Sequence, residues 1–491
     1  MTLRNRMIKS AAWYATTRVW MGVLQWGVGI LLARLLMPKD YGLFAMALSV
    51  VAVLELLQSF GLGVAIVQRQ DLKRRHHNAI FWTMLALSVG IALVATVAAT
   101  VAAHVYSEPR LIWMVRLLAL SFIFDSFGMV PYNLLTKEIE FRGRSLAEAG
   151  AVVVSSLVAL AMGYLGFAFW ALVVAHLVRS FVRSIGMALA CRWWPGFEVS
   201  FEKMREIVSF GLRITGSHVI HVLSGTVQTG ILARSLGAGD LGIYSMAGSL
   251  GKRNPLHKVS TSVLNQLSLP VFSKLQHDDA YLRRHFLKLS KYLAAIAIPL
   301  QLGMALVAQD MVLLLLTVKW LAIVPFVQIF SVGGILDIMP LPSTPLLTAR
   351  GKSKMLVRLA MFHASVMTLA YFVGSHWGLR GVAIAWFGSF IVVRAVLLWL
   401  SLREIKVPVG EYLGTIASPV VAALGMTAVV LLVQPFVPGL PGSVERLALS
   451  VGAGAVAYGT LLLLFDRSFG RELRGILLEM LPWRSTRKAD A

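Results

Sequence analysis

The 491-residue chain is 57% hydrophobic and only 14% charged. A soluble chain of this length carries far more charge and divides into several domains. No stretch here is long and polar enough to form one, which excludes a built-in ATPase or a large extramembrane catalytic domain.

Apolar runs of about 20 residues, enough to cross a bilayer, recur from Ala11 to Phe465. Arg4, Arg6 and Lys9 precede the first of them, as in a signal peptide. The run from Ala12 to Leu36 is too long for a signal-peptide core and lacks a small-residue cleavage site, so it reads as a permanent span. In chain order the spans fall at 12–36, 41–67, 79–104, 111–134, 146–163, 167–190 and 206–235, then at 241–273, 289–308, 320–346, 355–374, 380–402, 414–435 and 446–465. Hydropathy therefore predicts an all-α polytopic membrane protein of about fourteen transmembrane helices. The one cysteine, Cys191, allows neither an internal disulfide nor a thiolate cluster for zinc, and reads as inert.

The net charge of +23 would suggest nucleic acid in a soluble protein. Here it is a topology signal. One set of alternate loops carries Arg69, Lys73, Arg74 and Arg75, then Lys137, Arg142 and Arg144, then Arg192, Lys203 and Arg205. It continues with Lys274, Arg283, Arg284 and Lys288, then Arg350, Lys352 and Lys354, then Arg403 and Lys406. The other set is nearly bare. Basic residues stay on the cytoplasmic side, so both termini are expected there, with a basic C-terminal tail that can also meet anionic lipid. No nucleic-acid partner is expected.

An internal repeat organises the spans. Residues 32–49 read LARLLMPKDYGLFAMALS and residues 232–249 read LARSLGAGDLGIYSMAGS, so that Arg34, Asp40 and Gly42 recur as Arg234, Asp240 and Gly242. A second echo places Leu-Leu-Thr after eight intervening residues beyond Asp125 and again beyond Asp337. Both echoes are six spans apart, an even number, so the halves share one orientation. The expectation is two parallel six-helix lobes, 1–200 and 201–408, with two C-terminal helices and a tail at 409–491. Parallel repeats about an axis along the membrane normal are a transporter architecture.

Charges inside a bilayer cost about 2.5–3.5 kcal/mol on insertion scales, so each one is a functional candidate. Asp40 and Asp240 stand where a carboxylate caps the following helix, with Arg34 and Arg234 as their partners in a structural repeat motif. Arg18 lies in the first span, where the second lobe has His218, and this asymmetry points to substrate contact. The eighth span is broken by Lys252, Arg253, Pro255 and His257. Ser249, Arg253, His257 and Ser260 share one helix face, and a cationic stripe beside a proline kink suits a phosphate-bearing ligand. The alternative is that these residues form a loop. Glu55, Asp125 and Asp337 are the acidic candidates for ion coupling. His218 and His221 form H-x-x-H without a recognisable third ligand, so no metal is expected. No Walker A, G-x-S-x-G or H-E-x-x-H is present, so neither an enzyme nor a cofactor is expected.

Four segments carry a family resemblance: ARLLMPKDYG at 33–42, FGLGVAIVQR at 60–69, LLTKEIEFR at 134–142 and LPVFSKLQ at 269–276. Over nearly its whole length the chain resembles the Wzx-like oligosaccharide flippases of the polysaccharide transporter family, within the multidrug/oligosaccharidyl-lipid/polysaccharide exporter superfamily. It looks closest to the colanic-acid-exporter-like branch. The resemblance implies two lobes around a cationic cavity with alternating access. It also implies an undecaprenyl-pyrophosphate-linked sugar repeat unit as substrate, with polymerase and chain-length machinery as further partners. On that expectation Arg18, Arg253, Lys252 and His257 hold the pyrophosphate. The family has no universal substrate motif. An ion-coupled multidrug exporter of the same superfamily is the rival reading. A membrane glycosyltransferase or polymerase would need a substantial outer loop bearing catalytic acids, and the outer loops here are short.

Overall fold

The computed structural model describes residues 3–58, 62–69, 71–138, 140–200, 202, 206, 216–252, 268, 272–274, 276, 278–437 and 439–466. Among the described residues every regular element is a helix. They are α1 (Leu3–Leu35), α2 (Pro38–Gln58), α3 (Leu62–Gln68), α4 (Arg74–Tyr106), α5 (Leu111–Lys137), α6 (Phe141–Tyr164), α7 (Trp170–Cys191) and α8 (Gly216–Gly251). Then come α9 (Asp279–Leu306), α10 (Ala308–Leu315), α11 (Val324–Ile338), α12 (Ser343–Ala349), α13 (Ser353–Ser375), α14 (Gly378–Glu404), α15 (Val409–Val433) and α16 (Val444–Phe465).

Eleven segments among the described residues are long and apolar enough to cross a membrane. Together with α1 and the two arms of α8 they correspond to the spans read from the sequence, except that residues 207–215 of the expected seventh span and most of 253–273 of the eighth lie outside the described residues. The arms of α8 part at Gly237, whose φ of 81° and ψ of 179° leave the helical region. Only glycine adopts such a conformation without steric cost, and it falls between the expected seventh and eighth spans.

Local chemistry explains several boundaries. Pro38 opens α2, where the missing N–H costs nothing and the fixed φ suits a first helical turn. Asp40 then accepts the Met37 backbone N–H at 2.9 Å, satisfying one of the free donors at that helix start. Ser107 closes α4 in the left-handed region, its N–H directed at the carbonyls of Ala103 and His104.

The chain divides into two compact units, residues 1–246 with 357–389, and residues 247–356 with 390–491. Their borders differ from the lobe boundaries at 200 and 408. The lobes are a relation of sequence and helix order, whereas the units reflect contact, so the lobe division stands as a proposal.

In the first unit α5 is the central helix, packed by α2, α3, α4 and α7, while α6 joins α1 to α7. A buried carboxamide ties three of these together: Gln58 Nε2 donates to Ser88 Oγ and to the Phe122 carbonyl, both at 2.9 Å. The two copies of the repeat motif meet in this unit. A Cβ built on Gly42 would collide with the Ala238 carbonyl, and one on Gly242 with the Pro38 carbonyl. Each copy's glycine therefore admits the backbone of the other. Arg234 donates to Ser107 Oγ at 2.5 Å, at the C-terminal end of α4, and not to the expected Asp240. This corrects the anticipated pairing: the chain direction at the Gly237 break, not closeness in sequence, decides what Arg234 can reach.

In the second unit α9 is flanked by α11 and α15, and α16 packs on α15. Polar clasps hold the helices at one end. Arg350 and Lys406 pair with Asp279, Arg283 with Glu411, and Lys352 with Glu404. Lys291 and Ser418 both reach Asp466, at 2.5 and 2.8 Å, and Tyr458 donates to the Ala295 carbonyl at 2.7 Å. Helices α15 and α16 are thereby fastened to α9.

Candidate functional site

The first unit concentrates charge within its spans. On α7, Arg179 and Arg183 stand four residues apart and so share one helix face. Arg183 Nη2 donates to Asp125 Oδ1 of α5 at 2.8 Å. On α6, Glu148 receives Arg144 Nε at 3.2 Å, one turn earlier, and faces Arg18 of α1 at 3.8 Å. Arg144 is itself fixed by stacking over the Tyr132 ring, 4.1 Å from its centroid. The fields of Arg18, Glu148, Asp125 and Arg183 all act on Arg179. Glu55, exposed on α2, acts on Arg183 together with Asp125 and Glu148. These are one electrostatic cluster.

Two observations define what the cluster can do. Side-chain exposure is 52% for Arg18 and 46% for Arg183, although both lie within spans. Charged groups at that depth face water or protein rather than lipid, so this face of the unit borders an aqueous space. Among the described residues Arg179 has no hydrogen-bond or ion-pair partner. Arg18, Arg144, Arg179 and Arg183 face Glu55, Asp125 and Glu148, which leaves one positive charge in excess among the described residues. A guanidinium with free donors beside a second one is chemically suited to a phosphate or pyrophosphate, which accepts paired N–H bonds.

The second unit carries a matching pair. Asp337 of α11 bonds Arg394 of α14, whose guanidinium also lies over the Phe390 ring at 4.6 Å. Asp125 and Asp337 occupy the fourth and tenth spans, Arg183 and Arg394 the sixth and twelfth. The sequence echo is therefore also an echo of ion pairs. Two of the three carboxylates singled out for ion coupling, Asp125 and Asp337, sit against arginines.

Of the four residues expected to hold substrate, Arg18 lies in the charged cluster. Lys252 belongs to the second unit, its Nζ 4.9 Å from the Phe330 ring centroid, a cation–π contact. Arg253 and His257 lie outside the described residues. The side chain of His218 does too, while His221 faces the His363 ring at 6.4 Å. Sequence reasoning missed Arg144, Glu148, Arg179 and Arg183. The signal was present, because two arginines inside the run 167–190 violate the apolar rule for a span.

Helices of this number, with charges gathered inside them, define a polytopic membrane protein whose interior is built around polar groups. Solved structures share the fold. The inward closed conformation of Lipid II flippase MurJ superposes with a TM-score of 0.73 at 12% identity, covering 93% of this chain and 99% of that one. An inward-facing multidrug resistance MATE family transporter of the MOP superfamily gives 0.62 at 16% identity, over 80% and 98%. In sequence, Succinoglycan biosynthesis transport protein ExoT of Rhizobium meliloti is 27% identical, over 94% of this chain and 92% of its own. Lipopolysaccharide biosynthesis protein WzxC of Escherichia coli is 27% identical over 82% and 81%. Teichuronic acid biosynthesis protein TuaB of Bacillus subtilis is 26% identical over 82% and 84%. The family described as "Polysaccharide biosynthesis protein" matches residues 31–325, and the chain belongs to it.

Proposed function

We propose that this protein is a flippase. It moves an undecaprenyl-pyrophosphate-linked oligosaccharide repeat unit from the cytoplasmic to the periplasmic leaflet of a bacterial inner membrane, for assembly of a surface polysaccharide. Family membership and the names of the relatives support a role in polysaccharide export. The observation that carries the reading is Arg179, a cation within a span, without a partner among the described residues and beside Arg183 and Arg18. An anionic ligand supplies what that group lacks.

In this reading both termini are cytoplasmic, and the two lobes, 1–200 and 201–408, rock about the bound substrate. The pyrophosphate is held by Arg18, Arg179 and the eighth-span cations Lys252, Arg253 and His257, while the polyprenyl chain remains in lipid. Arg34, Asp40, Arg234 and Asp240 keep a structural role. Asp125 and Asp337 are candidates for coupling to an ion, with Glu55 a third; an ion would have to compete with Arg183 and Arg394 for the first two. A multidrug exporter is the alternative, and the fold accommodates it. An organic cation needs uncompensated carboxylates, however, and Asp125 and Asp337 are each paired with an arginine.

The test is a leaflet assay on cells depleted of the protein. Lipid-linked oligosaccharide should accumulate facing the cytoplasm and clear on re-expression. Arg253→Ala should abolish export at unchanged protein level. A normal leaflet distribution, with altered sensitivity to cationic drugs, would favour the multidrug reading.

A further inference from the structure

A cavity of about 430 Å³ opens in the second unit at the end of α9 opposite Asp279. That volume lies within the usual range for small-molecule sites. Its polar lining is Gln309 and Asp310 of α10, Gln328 of α11, Thr427 of α15, Gln434 immediately after α15, and Arg446 of α16. Leu302 and Leu306 of α9 and Leu431 of α15 supply an apolar wall. The charged cluster of the first unit contributes nothing to it.

The charge balance decides the class of ligand. Asp310 is only 2% exposed, yet its carboxylate accepts the Gly442 N–H at 3.0 Å and lies 3.4 Å from Arg446 Nε. The pair is held in place and neutral. A cation meets Arg446 and an anion meets Asp310, so neither gains a net attraction. A neutral ligand rich in hydroxyls loses nothing to either. Three carboxamides offer donors and acceptors together. Gln328 spends one N–H on the Ala305 carbonyl at 3.3 Å, and the Thr427 hydroxyl donates to the Ala423 carbonyl at 2.9 Å, so oxygen lone pairs remain on both. Groups that both give and take hydrogen bonds, opposite an apolar wall, match the hydroxyl edge and the C–H face of a sugar ring.

We propose that this cavity binds a neutral glycosyl residue. Binding as such does not depend on the flippase reading. Assigning the sugar to the exported unit does rest on it, and places the cavity at the periplasmic end, where the glycan emerges.

The experiment uses the full-length protein in phosphatidylcholine nanodiscs and saturation-transfer NMR with glucose, galactose and N-acetylglucosamine, with glycerol as a small polyol control. At least one sugar should receive saturation on its ring C–H protons, more strongly than glycerol. Its affinity should fall about tenfold or more in Gln309→Leu/Gln434→Leu, as two hydrogen bonds are lost, while the thermal melt of the variant stays that of the parent. Gln434→Asn, which keeps the carboxamide, should retain part of the binding. No saturation of any sugar, or equal saturation in parent and double variant, overturns the proposal. Loss of the sugar signal in phosphatidylglycerol nanodiscs overturns it too, assigning the cavity to that lipid's glycerol headgroup. Because the readout involves no transport, failure here with export intact separates this site from the flippase reading.

Discussion

Asp125 and Arg183, 58 residues apart in the chain, are joined across α5 and α7 by a 2.8 Å hydrogen-bonded ion pair. Asp337 and Arg394 repeat the relationship across α11 and α14. Each pair lets two helices carry opposite charges at a depth where a lone charge is costly. Replacing one partner leaves the other uncompensated, and exchanging the two should restore the pair. Asp337→Asn and Arg394→Gln are expected to lower the detergent melting temperature, and Asp337→Arg/Arg394→Asp to recover more than half of that loss. Melting curves of the three purified variants decide it; a double variant no better than either single would show that the pairing is not what stabilises.

Arg179 is expected to behave differently. Among the described residues no partner depends on it, so Arg179→Gln should leave membrane abundance at the parental level while lowering export at least about tenfold, the usual effect of losing a charge-assisted contact to substrate. Quantitative immunoblots alongside surface polysaccharide yield make the comparison. Parental export would remove Arg179 from the proposed site.

The meeting of the two repeat motifs gives an internally controlled prediction. Gly42→Ala and Gly242→Ala each drive a methyl into a backbone carbonyl, of Ala238 and Pro38 respectively, and a backbone yields less than a side chain. Overpacking of this kind costs about 1–3 kcal/mol. Gly239→Ala, three residues before Gly242 and with nothing within 4 Å of the added methyl, should be neutral. Thermal unfolding of the three proteins should separate the first two from the third.

Gln58 is a polar group used for construction. Gln58→Leu leaves the Phe122 carbonyl and the Ser88 hydroxyl without their donor, which is expected to cost about 1–3 kcal/mol. Export per folded molecule should not change. A variant that melts normally but fails to export would instead place Gln58 in the transport path.

Much of this protein is determined by short stretches of sequence. The spans follow from apolar content summed over about twenty neighbours, a local quantity that survives any rearrangement of the helices. Asp40 capping the start of α2 is similarly local, since the carboxylate and the Met37 N–H are three residues apart. The repeat is visible because two segments kept the same residues for the same fit.

Only the tertiary structure decided which charges meet. Whether Asp125 faces Arg183, or Arg234 finds Ser107 rather than Asp240, depends on how each helix is rotated about its axis and which neighbours it packs against. Hydropathy is blind to that rotation. It also hid Arg179 and Arg183, whose run remains apolar enough on average to read as one ordinary span, while the electrostatic cluster they form exists only after α1, α5, α6 and α7 have come together.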